Sequence, residues 1–333
     1  MLKLSLGTIM IQHPSPIWKA IVAVLFCFFP IEYGLAEDGP CVQSDNPITL
    51  GVPNAQDSSW AHVRDLISQG KLEIANQLIG SAPSTAEGLL WKGVLLLQRH
   101  QTFDSIRALE DSARIADGSA VETLLATDYL LLNQRILAQE ALDQAMKLNS
   151  EDPQALYVLG RLRLIENDVA GARNGFMAVL KHYPREYHCL YYLGLCEWRL
   201  GDNAEAKGFF VRGLDELMCR RANFPSLALD LSQLELQLGE APDALKHSNM
   251  AVQIASQQKS NDQQLANILL VRGKVYLALG RRSEAEIDWQ RAVSLSTTLA
   301  EGWYLLARSY QARGDTTLAA NAIAEFRKIK DDL

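Results

Sequence analysis

The residue types that perform catalysis are present in this chain, but not at the spacings that enzymes use. Gly70-Lys71 and Gly273-Lys274 repeat the Gly-Lys pair of phosphate-binding loops, yet neither pair is followed by Ser or Thr or preceded by a glycine-rich turn. His182 and His188 are six residues apart, a poor spacing for two ligands of one metal ion. Dinucleotide-binding, nucleophile-elbow and zinc-protease motifs do not occur. We therefore predict that the chain is not an enzyme, and we expect no catalytic residue, no metal site and no cofactor.

Cysteines are the remaining reactive side chains, and the sequence contains five of them. Cys189 and Cys196 are seven residues apart in a helical pattern, so they face the same way with about 10 Å between them. A disulfide requires Cα atoms within about 7 Å, so these two residues cannot bridge each other. The Cys-x-x-Cys motif of redox enzymes does not occur.

Composition describes a folded, acidic protein. The 333 residues include 48% apolar side chains, and 32 Lys and Arg against 39 Asp and Glu give a net charge of −7. The apolar fraction is sufficient for a substantial core. A general nucleic-acid binder needs a basic face, so we expect no nucleic-acid partner.

The first 36 residues have the pattern of a secretory signal peptide. Lys3 and Lys19 precede the apolar run 20–29, and Gly34-Leu35-Ala36 offers small residues for cleavage. The run is about half of the ~20 residues that span a bilayer, so we expect no stable membrane span once the signal is cleaved. We predict an exported protein, periplasmic or secreted; the alternative is an inner-membrane protein anchored by an uncleaved signal.

A polar segment, 37–58, follows the predicted signal peptide. It contains three Pro and no helical period, which is typical of a linker. A docking tail is the alternative that the sequence leaves open.

From about residue 56 a helical pattern is interrupted by turn residues at intervals near 34. These residues are Gly70, His100, Asn133, Asn167, Gly201, Gly239, Gly280 and Gly314. Gly and Asn tolerate the left-handed conformation that ends a helix, and His tolerates it less well. The pattern therefore predicts eight helical hairpins.

At fixed distances from each turn residue, the side chains are consistently small or consistently large. Five residues after the turn and seven before it, fifteen of sixteen residues are Gly, Ala or Ser, the exception being Val63. Small residues on both arms allow two helices to approach closely. Nine residues after the turn the side chain is large in seven hairpins, and we expect it to fill the space between neighbouring hairpins.

This register resembles the tetratricopeptide repeat family. The match is best in 153–186, where Leu156, Leu159-Gly160, Ala172, Phe176 and Pro184 follow the family pattern. The predicted organisation is two degenerate repeats in 56–118 (about 56–85 and 86–118), followed by six repeats in 119–333: 119–152, 153–186, 187–220, 225–258, 266–299 and 300–333. The resemblance implies an all-α fold, an α-solenoid of about eight antiparallel hairpins wound into a superhelix.

The family geometry also implies a concave groove lined by the first helix of each hairpin. The residues expected to line it are Gln154, Tyr157, Arg161, His188, Tyr191, Trp198, Arg199, Gln233, Asn267, Lys274, Tyr304 and Arg308. Tyr, Trp and Arg are enriched at binding hot spots, and the basic residues favour an acidic peptide or helix. The alternative is that the aromatics pack between helices and the basic groups are simply solvated.

Two further expectations depend on the hairpin register. Antiparallel helices bring the start of one arm near the end of the other, so a Cys189–Cys219 disulfide is possible in an oxidising compartment, the alternative being small buried cysteines. The sequence stops at the second helix of the last hairpin, where Phe326 and Ile329 are expected to be exposed unless neighbouring charges solvate that end. We therefore predict a non-catalytic protein-interaction scaffold of the cell envelope that binds a peptide or helix in its groove. The alternative is an assembly factor that self-associates through its C-terminal end.

Overall fold

The computed structural model describes residues 58–80, 84–257 and 261–331, and the predicted signal peptide lies outside these ranges. The described chain is entirely α-helical, with sixteen helices and no strand, so the predicted fold class is confirmed. The helices are α1 Ser58–Ser68, α2 Leu72–Gly80, α3 Ala86–Gln98, α4 Thr102–Ile115, α5 Ser119–Leu131, α6 Arg135–Leu148, α7 Pro153–Ile165, α8 Val169–His182, α9 Tyr187–Leu200, α10 Asn203–Cys219, α11 Pro225–Gln237, α12 Ala241–Gln257, α13 Asp262–Ala278, α14 Arg282–Leu295, α15 Ala300–Ala312 and α16 Thr316–Asp331.

The eight turn residues identified in the sequence all have positive φ, between 57° and 91°. At each turn the next residue donates its backbone N–H to the carbonyl five residues earlier, at 2.8 to 3.0 Å; Asp202 to Glu197 is one example. This bond satisfies a carbonyl that the helix end leaves without a partner. A left-handed turn residue and this backbone hydrogen bond therefore end the first helix of every described hairpin, and the second helix follows directly.

The small positions lie where the two helices of a hairpin cross. All sixteen are buried, and in two hairpins a serine at one small position bonds the backbone at the other. Ser105 Oγ donates to the carbonyl of Gly93 at 2.9 Å, and Ser232 Oγ donates to the carbonyl of Ala244 at 2.8 Å. A hydroxyl can reach the opposite backbone only when the two helices are in close contact, so these bonds explain the absence of larger side chains.

The large position nine residues after the turn has two roles. Phe176 stacks on Tyr192 of the following hairpin, with ring centroids 5.0 Å apart, as expected for a residue that fills space between hairpins. In the next hairpin the large residue, Phe210, covers the small residue of its own hairpin, because a Cβ added to Gly194 would lie 2.5 Å from the Phe210 ring. The small and large positions are therefore a complementary pair within one hairpin.

The longer intervals in the sequence correspond to longer helices. Helices α10, α12 and α13 each have 17 residues, whereas most other helices have 13 or 14. Helix α13 begins at Asp262, four residues before the start that the repeat register predicts. The extra residues therefore extend helices, and the positive φ of Arg221 marks the turn that follows α10.

The described hairpins form two compact units, with the division between Gly175 and Phe176. In the first unit α3 packs on α4 and α5 on α6; in the second, α9 packs on α10, α11 on α12, α13 on α14 and α15 on α16. Each unit thus has its own core of stacked hairpins. A search of the described helices for an apolar stretch long enough to cross a membrane finds none.

Candidate protein-binding surface

All twelve residues predicted to line a groove lie on the first helix of a hairpin. Gln154, Tyr157 and Arg161 are on α7 in the first unit. The other nine are in the second unit: His188, Tyr191, Trp198 and Arg199 on α9, Gln233 on α11, Asn267 and Lys274 on α13, and Tyr304 and Arg308 on α15. Their assignment to a binding groove stays a prediction, and their environments differ.

In the first unit the predicted residues are largely buried. Tyr157 is 3% exposed and Arg161 is 4% exposed, while Gln154 is half-buried. The guanidinium carbon of Arg161 lies 5.8 Å from the centroid of the Tyr157 ring, a cation–π contact along one helix. These two side chains therefore form a buried polar pair on α7.

In the second unit, two hydrogen bonds join the first helices α9 and α11. Tyr191 donates its hydroxyl to Asp230 Oδ2 at 2.8 Å, and Trp198 Nε1 donates to Gln237 Oε1 at 3.0 Å. Tyr191 is buried, Trp198 is half-buried and Arg199 is exposed. The two bonds are seven residues apart on both helices, so α9 and α11 lie side by side and form one continuous surface.

The start of α9 carries a charged cluster that the sequence did not predict. Glu186 caps the helix, is 2% exposed, and lies 2.9 Å from His188 Nδ1 and 3.5 Å from the guanidinium of Arg220. Arg220 also donates to the carbonyl of Arg185 at 3.0 Å. Since Arg220 follows α10, these contacts bring the end of α10 to the start of α9.

Aromatic rings extend this cluster along α9. The ring of Phe224 lies 5.2 Å from His188 and 4.8 Å from Tyr191, the latter at a 90° edge-to-face angle. Edge-to-face contacts hold rings in fixed orientations because their quadrupoles attract. His188 and Tyr191 therefore lie in an ordered aromatic layer, as the alternative interpretation of the aromatics expected.

The basic residues further along the second unit have partners. Lys274 Nζ lies 2.6 Å from Glu301, which balances its charge, and Arg308 lies 5.8 Å from the centroid of Tyr304. Gln233 and Asn267 are half-buried. Arg199 and Arg308 are the exposed basic members of the predicted set in this unit, so fewer basic groups are available to an acidic ligand than the sequence indicated.

The predicted Cys189–Cys219 disulfide is wrong. Cys189 and Cys196 are free thiols with no exposed surface, whereas Cys219 is exposed and disulfide-bonded. Burial, followed by the nearby charge of Glu186, raises the pKa of the Cys189 thiol well above its ordinary value. The helix ends do come together as expected, but Cys189 faces the core and Cys219 faces solvent.

Sequence reasoning also missed Asp128, a fully buried carboxylate on α5. Among the residues that the structure describes, neither of its oxygens has a hydrogen-bond partner, because the nearby Ser105 hydroxyl donates to the carbonyl of Gly93. Burial raises the pKa of Asp128 to about 7, and Ser105 opposes that shift only in part. The register gave a partial signal: five residues before the turn, four other hairpins have Leu95, Leu162, Leu234 and Val275, although the first hairpin has Asp65.

A second acidic cluster lies between α11 and α12. Glu235, Glu240 and Asp243 could together offer three oxygen ligands to a metal ion. However, Lys207 pairs with both Glu235 and Glu240, and His247 Nδ1 lies 2.7 Å from Glu235. The hydrogen bond to Glu240 is the main reason that the pKa of Lys207 is raised, so Lys207 already balances one of the three negative charges of the cluster.

Comparison with known proteins agrees with the hairpin register. A family model described as tetratricopeptide repeat matches residues 123–178 and 167–212. Together the two matches span residues 123–212, about a quarter of the chain. The model covers the hairpins from α5 to α10, which include the best-matching unit of the sequence and the surface on α9.

Individual relatives are distant in sequence. Protein CTR9 homolog of Arabidopsis thaliana is 20% identical in an alignment 284 residues long that covers 72% of this chain and 25% of that protein. The chain therefore spans about a quarter of the length of this curated relative.

Two solved structures share the fold. The Pseudomonas aeruginosa pilF structure has a TM-score of 0.56 and 20% identity, covering 67% of this chain and 97% of that one. The structure of PilW, described as a widely conserved type IV pilus biogenesis factor, has a TM-score of 0.55 and 17% identity, covering 63% and 92%. At these identities the likeness shows the fold alone.

Proposed function

We propose that this chain is a non-catalytic scaffold that binds an extended peptide or a helix of a partner protein on the first helices of its tetratricopeptide repeats. The observation that carries the proposal is the pair of hydrogen bonds that join α9 and α11, Tyr191 to Asp230 and Trp198 to Gln237. These bonds fix aromatic and polar groups in one surface before a ligand arrives, which reduces the entropy lost on binding.

Charge and residue type indicate the class of ligand. Trp198 and Arg199 are the members of this surface on α9 that reach solvent, and both residue types are enriched at binding hot spots. Arginine recognises carboxylates through paired hydrogen bonds. We therefore propose that the ligand carries an acidic side chain next to an apolar one.

We place this activity in the periplasm or outside the cell, or at the inner membrane if the signal is not cleaved. The support is the signal-peptide pattern of residues 1–36, together with the fold shared with a protein described as a type IV pilus biogenesis factor. An assembly factor that self-associates is the second candidate. Its support is the exposed Leu318 and Ile323 of α16, which are 39% and 36% exposed.

The surface on α9 can be tested with a double substitution. Trp198→Ala with Arg199→Ala should weaken capture of the native partner from envelope extracts at least about tenfold, because hot-spot residues each contribute more than about 1 kcal/mol. The measurement is the dissociation constant of the purified partner identified with the unmodified chain.

The matched control is Phe209→Ala with Arg212→Ala on α10, where the guanidinium lies 5.7 Å from the ring centroid. It removes an aromatic side chain and an arginine from a second helix and should leave affinity within about twofold. If the α9 variant binds as tightly as the control, the surface is not the binding site.

A further inference from the structure

One position of the repeat has a different environment in each of the two units. Three residues before the turn, seven of the eight hairpins have a large apolar side chain. In the first unit these side chains are 3 to 7% exposed: Ile67, Leu97, Leu130 and Leu164. In the second unit Trp198 and Leu236 are half-buried, and Leu277 is 41% exposed. The same position is therefore buried in the first unit and reaches solvent in the second.

The three accessible side chains form one row because their helices are neighbours. Trp198 Nε1 donates to Gln237, the residue after Leu236, at 3.0 Å. Helix α11 packs directly on α13, which carries Leu277. Two further half-buried leucines extend the row toward the starts of these helices, Leu195 on α9 and Leu229 on α11. Single exposed apolar side chains are common on protein surfaces, whereas a contiguous apolar patch marks a binding site.

We propose that this apolar row, formed by Leu195, Trp198, Leu229, Leu236 and Leu277, binds the apolar face of one amphipathic α-helix from a partner protein. The inference rests on the proposed function and narrows its ligand, which was an extended peptide or a helix, to a helix. It also places the contact on α9, α11 and α13 of the second unit.

The spacing of the row favours a helix over other peptide conformations. The axes of packed helices are about 8 to 10 Å apart, so side chains on successive helices recur at about that interval. On a bound α-helix, residues i and i+7 lie on one face about 10.5 Å apart. On an extended strand, residues of one face are about 6.6 or about 13 Å apart. A polyproline helix repeats every ~9.3 Å, but it is bound in grooves lined by aromatic rings, and leucines predominate here.

Charge at the two ends of the row indicates the polar side of the partner helix. Arg199, beside Trp198, is exposed, and Arg308 is exposed on α15. Lys274, which lies between them, pairs with Glu301 at 2.6 Å. Three helix spacings separate α9 from α15, about 24 to 30 Å, which a helix of about 16 to 20 residues spans. We therefore expect acidic side chains near both ends of a partner helix of that length.

Peptide selection tests the conformation of the ligand without the native partner. Random peptides of about 18 residues, displayed on phage, are selected for binding to the full chain and then synthesised with ¹³C labels. We expect apolar residues at i, i+3 or i+4, and i+7, acidic residues near the ends, and helical ¹³Cα shifts in the bound peptide. A bound peptide that is extended or polyproline-like, or a selection that enriches no peptide, overturns the proposal.

Substitutions in the row test where the selected peptide binds. Leu236→Gln with Leu277→Gln should raise the dissociation constant of the peptide at least about tenfold, because two apolar contacts are replaced by polar groups. Urea unfolding verifies that the variant is folded. If the double variant is unfolded, Leu277→Gln alone, at the more exposed position, is expected to weaken binding at least about threefold.

The matched control is Val211→Gln with Ile287→Gln. It removes two exposed apolar side chains from second helices of the same unit, α10 and α14, and should leave the affinity within about twofold. Equal affinity of the control and the row variant for the peptide overturns the proposal.

Trp198→Ala with Arg199→Ala distinguishes this proposal from the proposed function. If that variant weakens the peptide and the leucine variant does not, the surface on α9 binds the ligand without the row, and the inference alone fails. If neither variant weakens the peptide, the proposed binding surface fails with it.

Discussion

A single carboxylate illustrates how strongly burial acts on individual residues in this repeat. Asp128 occupies a position that is apolar in most hairpins, and neither of its oxygens has a hydrogen-bond partner among the described groups. An unpaired buried charge is so unfavourable that the group keeps its proton instead, which is why its pKa rises to about 7.

Asp128 should make the stability of the chain depend on pH. The folded pKa of about 7 is above the unfolded value of about 3.9, so the folded state binds the proton more tightly. The resulting stabilisation is complete below about pH 4 and is lost as pH rises to about 7, with a total change on the order of 4 kcal/mol. Asp128→Asn should remove this slope and be more stable than the unmodified chain at pH 8.

Urea unfolding of the full chain at pH 4, 6 and 8 measures this difference. Asp65→Asn is the control, because Asp65 holds the same register position in the first hairpin but is exposed. A wild-type-like slope in Asp128→Asn would contradict the assignment of the pH dependence to Asp128.

The other residue-scale lesson concerns the cysteines. Cys189 and Cys219 lie at helix ends that come together, as the Arg220–Glu186 contact shows, yet they do not bond. Register predicts which backbone segments are near each other. It does not predict the direction of a side chain, and that direction decides which thiol an oxidant can reach.

At the scale of the element, the hairpin is held by one complementary pair of positions. The small residue seven before the turn and the large residue nine after it contact each other in the hairpins of Gly93 with Leu109 and Gly194 with Phe210. The sequence identified both positions, but assigned the large one only to the space between hairpins. The internal contact was missed because spacing alone does not tell which neighbour a long side chain covers.

Gly194→Ala should destabilise the second unit. Its new Cβ would lie 2.5 Å from two carbons of the Phe210 ring, and a rigid ring in a packed core can move only at the expense of its neighbours. We expect the free energy of unfolding to fall by about 1 to 3 kcal/mol in urea titration.

Gly208→Ala on α10 is the matched control. It lies in a helix interior, is exposed, and has no atom within 4 Å of an added Cβ. Alanine restricts the unfolded chain more than glycine, so this variant should gain about 0.5 to 1 kcal/mol. If both variants change stability in the same direction, the close crossing at Gly194 is not the determining feature.

At the scale of the whole molecule, the remaining question is whether copies associate. The last described helix, α16, exposes Leu318 and Ile323, whereas Phe326 is half-buried and packs on Tyr304 with centroids 5.7 Å apart. The expected exposure of Phe326 is thus largely removed by a contact within the last hairpin. Stable interfaces bury about 800 Å² per partner, which two partly exposed side chains do not provide.

We therefore expect the full chain to remain monomeric in light scattering across the accessible concentration range. A mass that rises with concentration and returns to the monomer value in Ile323→Glu would favour the self-associating alternative. Ile136→Glu on α6 is the control, because Ile136 is 77% exposed and lies in the other unit.

The sequence by itself determined the helices, the eight turns and the small crossing positions. These features are local: a left-handed turn requires Gly, Asn or a tolerant residue at one position, and a helix period places the small residues on one face. Because the same pattern recurs in eight hairpins, each of these features could be identified from the sequence.

Only the tertiary structure decided three features. These are the burial of the Asp128 carboxylate, the exposure of Cys219 to solvent, and the hydrogen bond from Tyr191 to Asp230 that joins α9 to α11. Each of these depends on a side chain that meets residues from another helix, 39 positions away in the case of Tyr191 and Asp230. Burial, orientation and accessibility arise from packing between helices, and no periodicity in the chain encodes them.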